Sequence, residues 1–424
     1  MPQLNGGASG VERESTANGL CSLAFVREAF PALAERIQGE PLVYLDSAAT
    51  ALKPRVVAEA VARVYLQGAG AVDRSAHTLG ARATALVERV RADLAELLAA
   101  SVDEIILTRG TTDGLNLVAT GWARPRLRAG DEVLVTALEH HANLLPWQRA
   151  CEESGAQLVT VPARDGDVHV ADVSRLLTSR TKVVALTHVS NVTGAELPVA
   201  SIAALAHQVG AAVVVDGAQG AAVADADVRA LGADFYAMSG HKVYGPSGTG
   251  ALFASRARQA EMSPVALGGG IALRVSASGV TLRDGPQRFE AGSPNVEGAA
   301  GLSAALAFLV TVGKAARIAH ARRLAAHAAE ELSRISGVRV VGAPAQRTGI
   351  VSFVLDGVHA HDVATWLDGR GIAVRAGRVC AHPALDALGE REIVRASFAI
   401  YNDGNCVRAL CAAVQSAKKT LGAS

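Results

Sequence analysis

Short apolar runs rich in β-branched residues alternate with helical patterns along most of this 424-residue chain. Each run is nearly continuous in hydrophobicity, which is typical of strands that are buried on both faces. Because strands that alternate with helices pair through crossover connections, the pattern predicts an α/β fold with a mostly parallel sheet between helices. The predicted strands of this sheet are 104–108, 131–136, 157–161, 182–188, 211–217 and 233–239.

Changes in this pattern predict the domain boundaries. Residues 1–21 lack an apolar segment and predict a disordered leader. Residues 22–54 are expected to form an N-terminal segment that packs with a small domain. A large domain is predicted at 55–310 and a smaller α+β C-terminal domain at 311–424, linked by two helices within an amphipathic stretch at 297–335.

Composition excludes several classes of protein. The net charge is +1 and there is no dense block of Lys or Arg, which argues against a nucleic-acid partner. No run of about 18 apolar residues is free of charge or glycine, so a membrane span is not predicted. The cysteines are scattered and form no CxxC pair, which disfavours disulfides and a zinc site and predicts a reducing cytoplasm. They are Cys21, Cys151, Cys380, Cys406 and Cys411.

A lysine lies in the turn after the last of these predicted strands, in ADFYAMSGHKVYGPSGTGAL. Lys242 follows Ser239 and His241 and precedes a Gly-Pro turn. This position suits a Schiff-base lysine, whose amine must reach an aldehyde and become less basic in a partly desolvated, cation-containing site. A lysine in a surface loop is the alternative, and the neighbouring motifs decide against it.

Two neighbouring motifs carry polar groups at positions where ligands bind. Asp216 in VVVDGAQG ends a predicted strand at the edge where open α/β sheets bind ligands. Thr111 and Thr112 open a predicted helix, whose N-terminal amides and hydroxyls suit a phosphate. The carboxylate can hold the pyridine nitrogen of pyridoxal 5′-phosphate (PLP), and Gln219 is placed to donate to its phenolic oxygen. Taken singly, a turn-forming Asp and an N-capping Thr remain alternatives.

Nine motifs between about residues 40 and 420 extend this pattern over nearly the whole chain. They are, in order, YLDSAAT, HTLGARAT, RGTTDGLNLVA, EHHANLLPWQ, THVSNVTG, VVDGAQG, DFYAMSGHKVYGPSGTG, RFEAGSPN and VRASFAIYN. In these motifs and their order the chain resembles the SufS-type (group II) cysteine desulfurases, PLP-dependent enzymes of the class V aminotransferase family. The resemblance implies PLP fold type I, with a seven-stranded-type sheet in the large domain and a catalytic cysteine in the small one.

The same resemblance implies an activity and partners. L-cysteine would be converted to L-alanine, and its sulfur would pass to the catalytic cysteine as a persulfide. From there it would pass to an acceptor protein of the SufE/SufU kind, for iron–sulfur cluster assembly or another thiolation. The enzyme would be a homodimer.

The resemblance also implies roles for individual residues. Lys242 would form the Schiff base with PLP and then shuttle protons, Asp216 would pair with the pyridine nitrogen, and Gln219 would bind the phenolic oxygen. His140 would stack on the ring, and a metal pair of His140 with His141 is disfavoured because adjacent side chains point apart. The phosphate would be held by Thr111, Thr112, Ser239 and His241, and by Ser293 from the partner subunit.

The substrate side of the site follows from the same comparison. Arg395 would bind the substrate carboxylate, for which its planar guanidinium group is suited. Asn191 would lie beside cofactor and substrate, Arg375 would belong to the substrate site, and His77 would line its entrance.

The segment IAVRAGRVCAHPAL aligns with the catalytic cysteine of the family and places Cys380 on the nucleophile. The family usually has two histidines directly before this cysteine, whereas this chain has Arg378 and Val379. Arginine does not exchange protons near neutral pH as histidine does, so another proton donor, acceptor or substrate remains open. Arg375 and Arg378 are close enough in sequence to stabilise a thiolate. The short spacing before the cysteine predicts that an acceptor docks at the pocket mouth.

Other functions remain as alternatives. A selenocysteine lyase, or a PLP-dependent C–S lyase or epimerase of the same fold, would not need Cys380. A dinucleotide-dependent oxidoreductase is disfavoured because GPSGTG and LGGG do not give GxGxxG after the first strand. A non-catalytic scaffold would require Lys242 to be a bystander.

Overall fold

The computed structural model describes residues 24–73 and 75–422, so the predicted leader and Cys21 lie outside the described residues. Within this described part, seven strands form the largest sheet. They are β1 (Ile105–Thr108), β2 (Glu132–Thr136), β3 (Gln157–Val161), β4 (Thr181–Thr187), β5 (Ala212–Asp216), β6 (Phe235–Ser239) and β7 (Gly250–Ala254).

The strands lie in the order β1-β7-β6-β5-β4-β2-β3. Strands β2 to β6 run parallel, whereas β7 is antiparallel to both β6 and β1. The prediction of a mostly parallel sheet is therefore confirmed. Strand β7 was not predicted, because its short apolar run ALFA follows the glycine-rich turn GPSGTG, a pattern typical of a loop.

Both faces of this sheet are buried. Val213 and Val215 of β5 pack into one apolar core, and the alternating residues Ala212 and Val214 pack into another on the opposite face. The helices of this part of the chain are Arg55–Gln67, Thr78–Leu98, Thr111–Val118, Leu145–Ser154, Val170–Leu176, Val199–Gln208, Gly220–Val223, Val228–Leu231, Arg256–Glu261 and Val296–Val312.

A second sheet lies in the C-terminal part. Its strands are β8 (Val338–Val340), β9 (Ile350–Leu355), β10 (Arg375–Gly377) and β11 (Ile393–Ser397), all antiparallel in the order β8-β9-β11-β10. The helices around it are Lys314–Ser333, Ala360–Asp368, His382–Ala387 and Gly404–Leu421. Its apolar core is separate from the two cores of the large sheet.

The predicted helical stretch at 297–335 is two helices that break at Gly313. The φ of Gly313 is 85°, a conformation that favours glycine. Val296–Val312 packs on the helices beside the large sheet, and Lys314–Ser333 packs on the C-terminal part. The predicted domain boundary near residue 310 stays a prediction. Among the described residues, no single helix is long and apolar enough to cross a membrane, and these two reach that length together only as a pair bent by 82°.

The N-terminal segment contacts both parts of the fold. Val43–Tyr44 pairs in parallel with Ile372–Ala373 of the C-terminal part. The Phe30 ring packs on Tyr401 of that part at 4.7 Å and on Tyr244 of the large part at 5.8 Å. Asp46, two residues after this strand, is thereby brought to the junction between the two parts. Other short elements include the helix Ala24–Glu28 and the strand pairs Arg36–Ile37 with Glu40–Pro41 and Ala272–Ser276 with Gly279–Leu282.

Candidate active site

A cavity of about 350 Å³ lies at the carboxyl ends of β4, β5 and β6, where the C-terminal part covers the large sheet. This is the edge at which open α/β sheets bind ligands, and the volume suits a small cofactor with its substrate. The cavity brings together most of the residues predicted from sequence: Thr111, Thr112, His140, Asn191, Asp216, Gln219, Ser239, His241, Lys242, Arg375, Cys380 and Arg395.

Two predicted site residues do not line this cavity. Ser293 is exposed just before the helix Val296–Val312, and His77 is exposed where it caps the helix Thr78–Leu98. The His77 ring accepts a hydrogen bond from the Gly80 amide at 3.3 Å. The role of Ser293 in a partner's site and that of His77 at the entrance stay predictions.

Lys242 ends the short 3-10 turn Gly240–Lys242 that follows β6. Burial lowers the pKa of its amine to about 8, with Arg395 acting in the same direction and Asp216 and Cys380 opposing it. A larger share of the amine is therefore neutral at physiological pH than for an ordinary lysine, and the neutral amine is the form that reacts with an aldehyde. Burial and Lys242 together also lower the pKa of His241 to about 4, so this ring is neutral.

Asp216 is the last residue of β5 and is 3% exposed. Its Oδ1 accepts a hydrogen bond from the Ala218 amide at 2.9 Å. Burial raises the pKa of this carboxyl group, although the Ala218 amide and Lys242 lower it. A buried carboxylate of this kind is stabilised by a cation such as a protonated ring nitrogen. Gln219 donates from Nε2 to the Ala48 carbonyl at 2.8 Å, which leaves its second amide hydrogen for a ligand.

The N-terminus of the helix Thr111–Val118 has the features of an anion-binding site, called the anion seat below. The Thr111 amide donates to Ser239 Oγ at 2.9 Å, and the two hydroxyl groups are 2.8 Å apart. The start of β7 and the residue before this helix are both glycines, which lets the two backbones approach closely. A Cβ on Gly250 at the start of β7 would lie 2.5 Å from the Gly110 Cα. Backbone amides and the helix dipole favour an anion here.

One cavity thus contains an anion seat, an amine of lowered basicity and a buried carboxylate. These groups match the phosphate, the aldehyde and the pyridine nitrogen of PLP. The residues present therefore fit this cofactor. The described ranges contain no group of three or more His, Cys, Asp or Glu side chains suited to holding a metal ion.

His140 lines the cavity with a neutral ring. Its Nδ1 accepts a hydrogen bond from the Ala142 amide at 3.0 Å. Burial lowers its pKa to about 4, and the positive charges of Lys242 and Arg395 act in the same direction. A neutral imidazole is suited to lie against an aromatic cofactor, and its stacking on the PLP ring stays a prediction.

Glu139, a residue that was not predicted from sequence, fixes the chain just before His140. Glu139 is 1% exposed, and burial raises its pKa to about 8. It accepts hydrogen bonds from Thr136 Oγ1 at 2.5 Å, Asn143 Nδ2 at 2.6 Å and the Thr187 amide at 3.0 Å. Glu139 therefore ties the ends of β2 and β4 together. An acidic residue in the short segment between an apolar strand and two histidines was the available signal.

Arg395 of β11 reaches the cavity from the C-terminal part. Its Nη1 donates to the Asn191 carbonyl at 3.0 Å, and its Nη2 lies 3.5 Å from Asp46 Oδ1. Arg375 Nη2 binds the other Asp46 oxygen at 2.6 Å. Burial lowers the pKa of Arg395 to about 10, which still leaves a cation at neutral pH. Among the described residues its buried Nε has no hydrogen-bond partner, so a donor remains for a substrate carboxylate.

Asp46 is a second site residue that the sequence analysis did not single out. It follows the short strand Val43–Tyr44 in the motif YLDSAAT, and a carboxylate directly after an apolar pair was the available signal. Its side chain is mostly buried and contacts both arginines of the cavity. It therefore couples the N-terminal segment to the substrate side of the site.

Cys380 differs from the other cysteines of the described part of the chain. Cys380 is exposed and lines the cavity. Burial raises the pKa of Cys151 and of Cys411 to about 11, and it also raises the pKa of Cys406. Because the thiolate is the nucleophile, those three thiols are poorly reactive and Cys380 is the candidate.

The segment around Cys380 has an unusual backbone. Val379 has a φ of 42° and Cys380 a φ of 54°, both in the left-handed region. For residues other than glycine such conformations cost on the order of 1–3 kcal/mol each. The Val379 carbonyl accepts from Asn191 Nδ2 at 2.9 Å, and the Cys380 carbonyl accepts from the His141 amide at 2.9 Å. These bonds hold the cysteine at the cavity.

A lysine of lowered basicity, a buried carboxylate and an anion seat at the carboxyl ends of a mostly parallel sheet fit a PLP-dependent enzyme of fold type I. Comparison with known protein families identifies one family within this class. The chain belongs to the aminotransferase class-V family, whose family model matches residues 43–410.

Similar proteins include cysteine desulfurases. A probable cysteine desulfurase of Vibrio cholerae is 45% identical over 400 residues, which are 94% of this chain and 99% of that protein. The crystal structure of the cysteine desulfurase CsdA (S-sulfonic acid) from Escherichia coli has a TM-score of 0.88 at 42% identity, covering 94% of this chain and 99% of that one. The cystine C–S lyase C-DES, in complex with its product cysteine persulfide, has a TM-score of 0.80 at 26% identity, covering 91% and 99%. The predicted resemblance to PLP-dependent cysteine desulfurases is confirmed.

Proposed function

We propose that this chain is a PLP-dependent cysteine desulfurase that converts L-cysteine to L-alanine and receives the substrate sulfur on Cys380 as a persulfide. The observation that carries the proposal is the exposed thiol of Cys380 in the same cavity as Lys242 and Arg395. The similarity to cysteine desulfurases over nearly the whole chain supports it.

The residues of the cavity have separate roles in this reaction. PLP, when bound, withdraws electrons from the substrate so that the bond between its β-carbon and sulfur can break. Arg395 binds the substrate carboxylate through its free donor. Asp216 keeps the ring nitrogen protonated, and Lys242, with a pKa of about 8, can take up and return protons near neutral pH.

The sulfur transfer balances without an external oxidant or reductant. The Cys380 thiolate attacks the sulfur of L-cysteine, the carbon–sulfur bond breaks, and its electron pair stays with carbon. That carbon takes up a proton, replacing the one that the Cys380 thiol lost. L-cysteine and a thiol therefore give L-alanine and a persulfide.

The test compares Cys380→Ala with Cys411→Ala, a cysteine outside the cavity. We expect Cys380→Ala to keep the visible absorption band of bound PLP but to lose alanine formation from L-cysteine, because no thiolate accepts the sulfur. Cys411→Ala should behave as wild type. In wild type, mass spectrometry after exposure to L-cysteine should find one added sulfur on the peptide that contains Cys380. Full alanine formation by Cys380→Ala would refute the proposal.

A C–S lyase, or a selenocysteine lyase, of the same fold is the second candidate. The similarity to the cystine C–S lyase C-DES favours it, as does the departure of Arg378 and Val379 from the desulfurase pattern. Such an enzyme would not need Cys380. Retained turnover of Cys380→Ala would support this candidate.

The proposal extends to the proteins with which this enzyme would interact. The position of Cys380 at an exposed mouth supports delivery of sulfur to a docking acceptor protein of the SufE/SufU kind. The exposure of Ser293 outside the cavity supports a homodimer in which this residue reaches the partner's phosphate. Iron–sulfur cluster assembly or another thiolation in the cytoplasm is the process we propose for the transferred sulfur.

A further inference from the structure

The segment before Cys380 lacks the two histidines usual in the family it resembles, but two other imidazole rings lie beside it. His141 belongs to the short turn His141–Asn143 that follows β2. His382 begins the helix His382–Ala387, two residues after the nucleophile. The two rings contact each other edge to face, with centroids 4.6 Å apart. One histidine distant in sequence and one histidine two residues after Cys380 thus place imidazoles near the nucleophile.

His141 holds the backbone at the nucleophile and two residues after it. Its main-chain amide donates to the Cys380 carbonyl at 2.9 Å. Its ring Nε2 accepts a hydrogen bond from the His382 amide at 3.3 Å. Asn191 holds the preceding residue, Val379, through a third bond. Because Val379 and Cys380 are in costly left-handed conformations, these bonds are needed to keep the thiol in place.

We propose that His141 is a positioning residue for Cys380, and that the hydrogen bond from the His382 amide to its unprotonated ring nitrogen sets the approach of the thiol to the substrate sulfur. This inference rests on the proposed function. It concerns how the nucleophile is held and leaves the identity of the nucleophile unchanged. Arg378 plays no such part, because its guanidinium group binds the Asp386 carboxylate and the His382 carbonyl.

The charge state of the His141 ring makes the proposal testable by pH. Burial lowers the pKa of His141, and His382 and Arg378 act in the same direction. The ring is therefore neutral at neutral pH and Nε2 can accept. As the pH falls through this lowered pKa, Nε2 becomes protonated and the bond from the His382 amide is lost. The titratable or charged groups around this ring are His140, His382, Arg378 with its partner Asp386, and Cys380.

The experiment uses two substitutions of His141 in the holoenzyme. His141→Gln keeps an acceptor oxygen in place of Nε2 but does not titrate, whereas His141→Phe keeps a ring and removes the acceptor. We expect His141→Phe to slow the single-turnover arrival of sulfur on Cys380 about fivefold to tenfold, the usual effect of one lost hydrogen bond. The KM for L-cysteine should stay within about twofold. His141→Gln should stay within about threefold of wild type and should lose the acid limb that wild type shows.

A matched control is His169→Phe, which makes the same change at an exposed histidine just before the helix Val170–Leu176, outside the cavity. This variant should keep the wild-type rate of persulfide formation, within about twofold. A slowing as large as that of His141→Phe would overturn the proposal, because the loss would then not depend on the bond from the His382 amide. A wild-type rate for His141→Phe, or a His141→Gln as slow as His141→Phe, would also overturn it.

A second measurement does not depend on desulfurase activity. Hydrogen exchange of the His382 amide reports directly on the bond to His141 Nε2. We expect faster exchange of this amide in His141→Phe and wild-type exchange in His141→Gln. Unchanged exchange in His141→Phe would overturn the positioning role. A wild type that forms no persulfide would refute only the proposed function, because the exchange measurement would still decide the positioning role.

Discussion

The cofactor floor and the nucleophile loop of this site are built in different ways. The cofactor floor, which consists of Thr111, Asp216, Ser239 and Lys242, lies at or just beyond the ends of a helix and two strands. The nucleophile loop, residues 378–381, follows a three-residue strand and is held by side chains and amides from elsewhere in the chain.

The two regions also differ in burial and in backbone strain. The floor is buried or half-buried and is continuous with the hydrogen bonds of the sheet. The loop contains two residues with left-handed backbone, and its thiol is exposed. A floor of this kind suits a cofactor that stays in one orientation through the reaction. A loop that depends on a few long-range bonds suits a thiol that must meet the substrate and then an acceptor.

The largest effect expected in this comparison is on the floor. Lys242→Ala removes the amine that reacts with the cofactor aldehyde, so turnover should fall by ~10³-fold or more and the visible band of bound PLP should disappear. Absorption spectra and alanine formation measure both effects. The control is Lys182→Ala, an exposed lysine of β4, which should match wild type. Turnover retained by Lys242→Ala would break the assignment of the floor.

A smaller loss is expected when the floor keeps its shape and loses one charge. Asp216→Asn preserves an acceptor for the Ala218 amide but no longer holds a protonated ring nitrogen, so kcat should fall ~10²-fold with PLP still bound. The negative charge of Asp216 raises the pKa of Lys242, so its loss should shift that pKa further below about 8. Steady-state kinetics over a pH series measures both. An unchanged kcat would contradict the role of the carboxylate.

The smallest effect is expected in the nucleophile loop, at the position where the chain departs from its family. Arg378→Ala should change turnover by no more than about twofold, because its guanidinium group already binds the Asp386 carboxylate and the cavity does not include it. Alkylation of Cys380 followed against pH in both proteins gives the comparison. Curves that separate clearly would show that Arg378 stabilises the thiolate, as its sequence position suggests.

The sequence predicted the floor better than the loop, for a physical reason. Asp216 ends one apolar strand and Lys242 lies in the turn after the next strand. Parallel strands bring their carboxyl ends to one edge, so local pattern and topology together locate both residues. The contacts of the loop join residues far apart in the sequence, such as His141 and Cys380, and no local pattern encodes such a pair. Asp46 was missed for the same reason, since its arginine partners lie in the C-terminal part.

Strand β7 shows a different limit of prediction from the sequence. A run of only four apolar residues after glycines carries no signal of its direction, and its pairing with β1 and β6 follows from tertiary structure alone. The consequence reaches the site, because β7 begins at Gly250, directly against the anion seat at Gly110. The part of the sheet that the sequence pattern missed is therefore one that shapes the phosphate end of the cavity.

The ion pairs of Asp46 have a consequence for how the substrate enters. Arg395 is a buried cation that the Asp46 carboxylate contacts only weakly, at 3.5 Å, while Arg375 binds the same carboxylate at 2.6 Å. Asp46 is thus a resting counter-ion for Arg395, and in the proposed function the substrate carboxylate would bind the free Nε beside this contact. Because Arg395 always has one carboxylate nearby, the protein avoids most of the cost of a buried unpaired cation between turnovers.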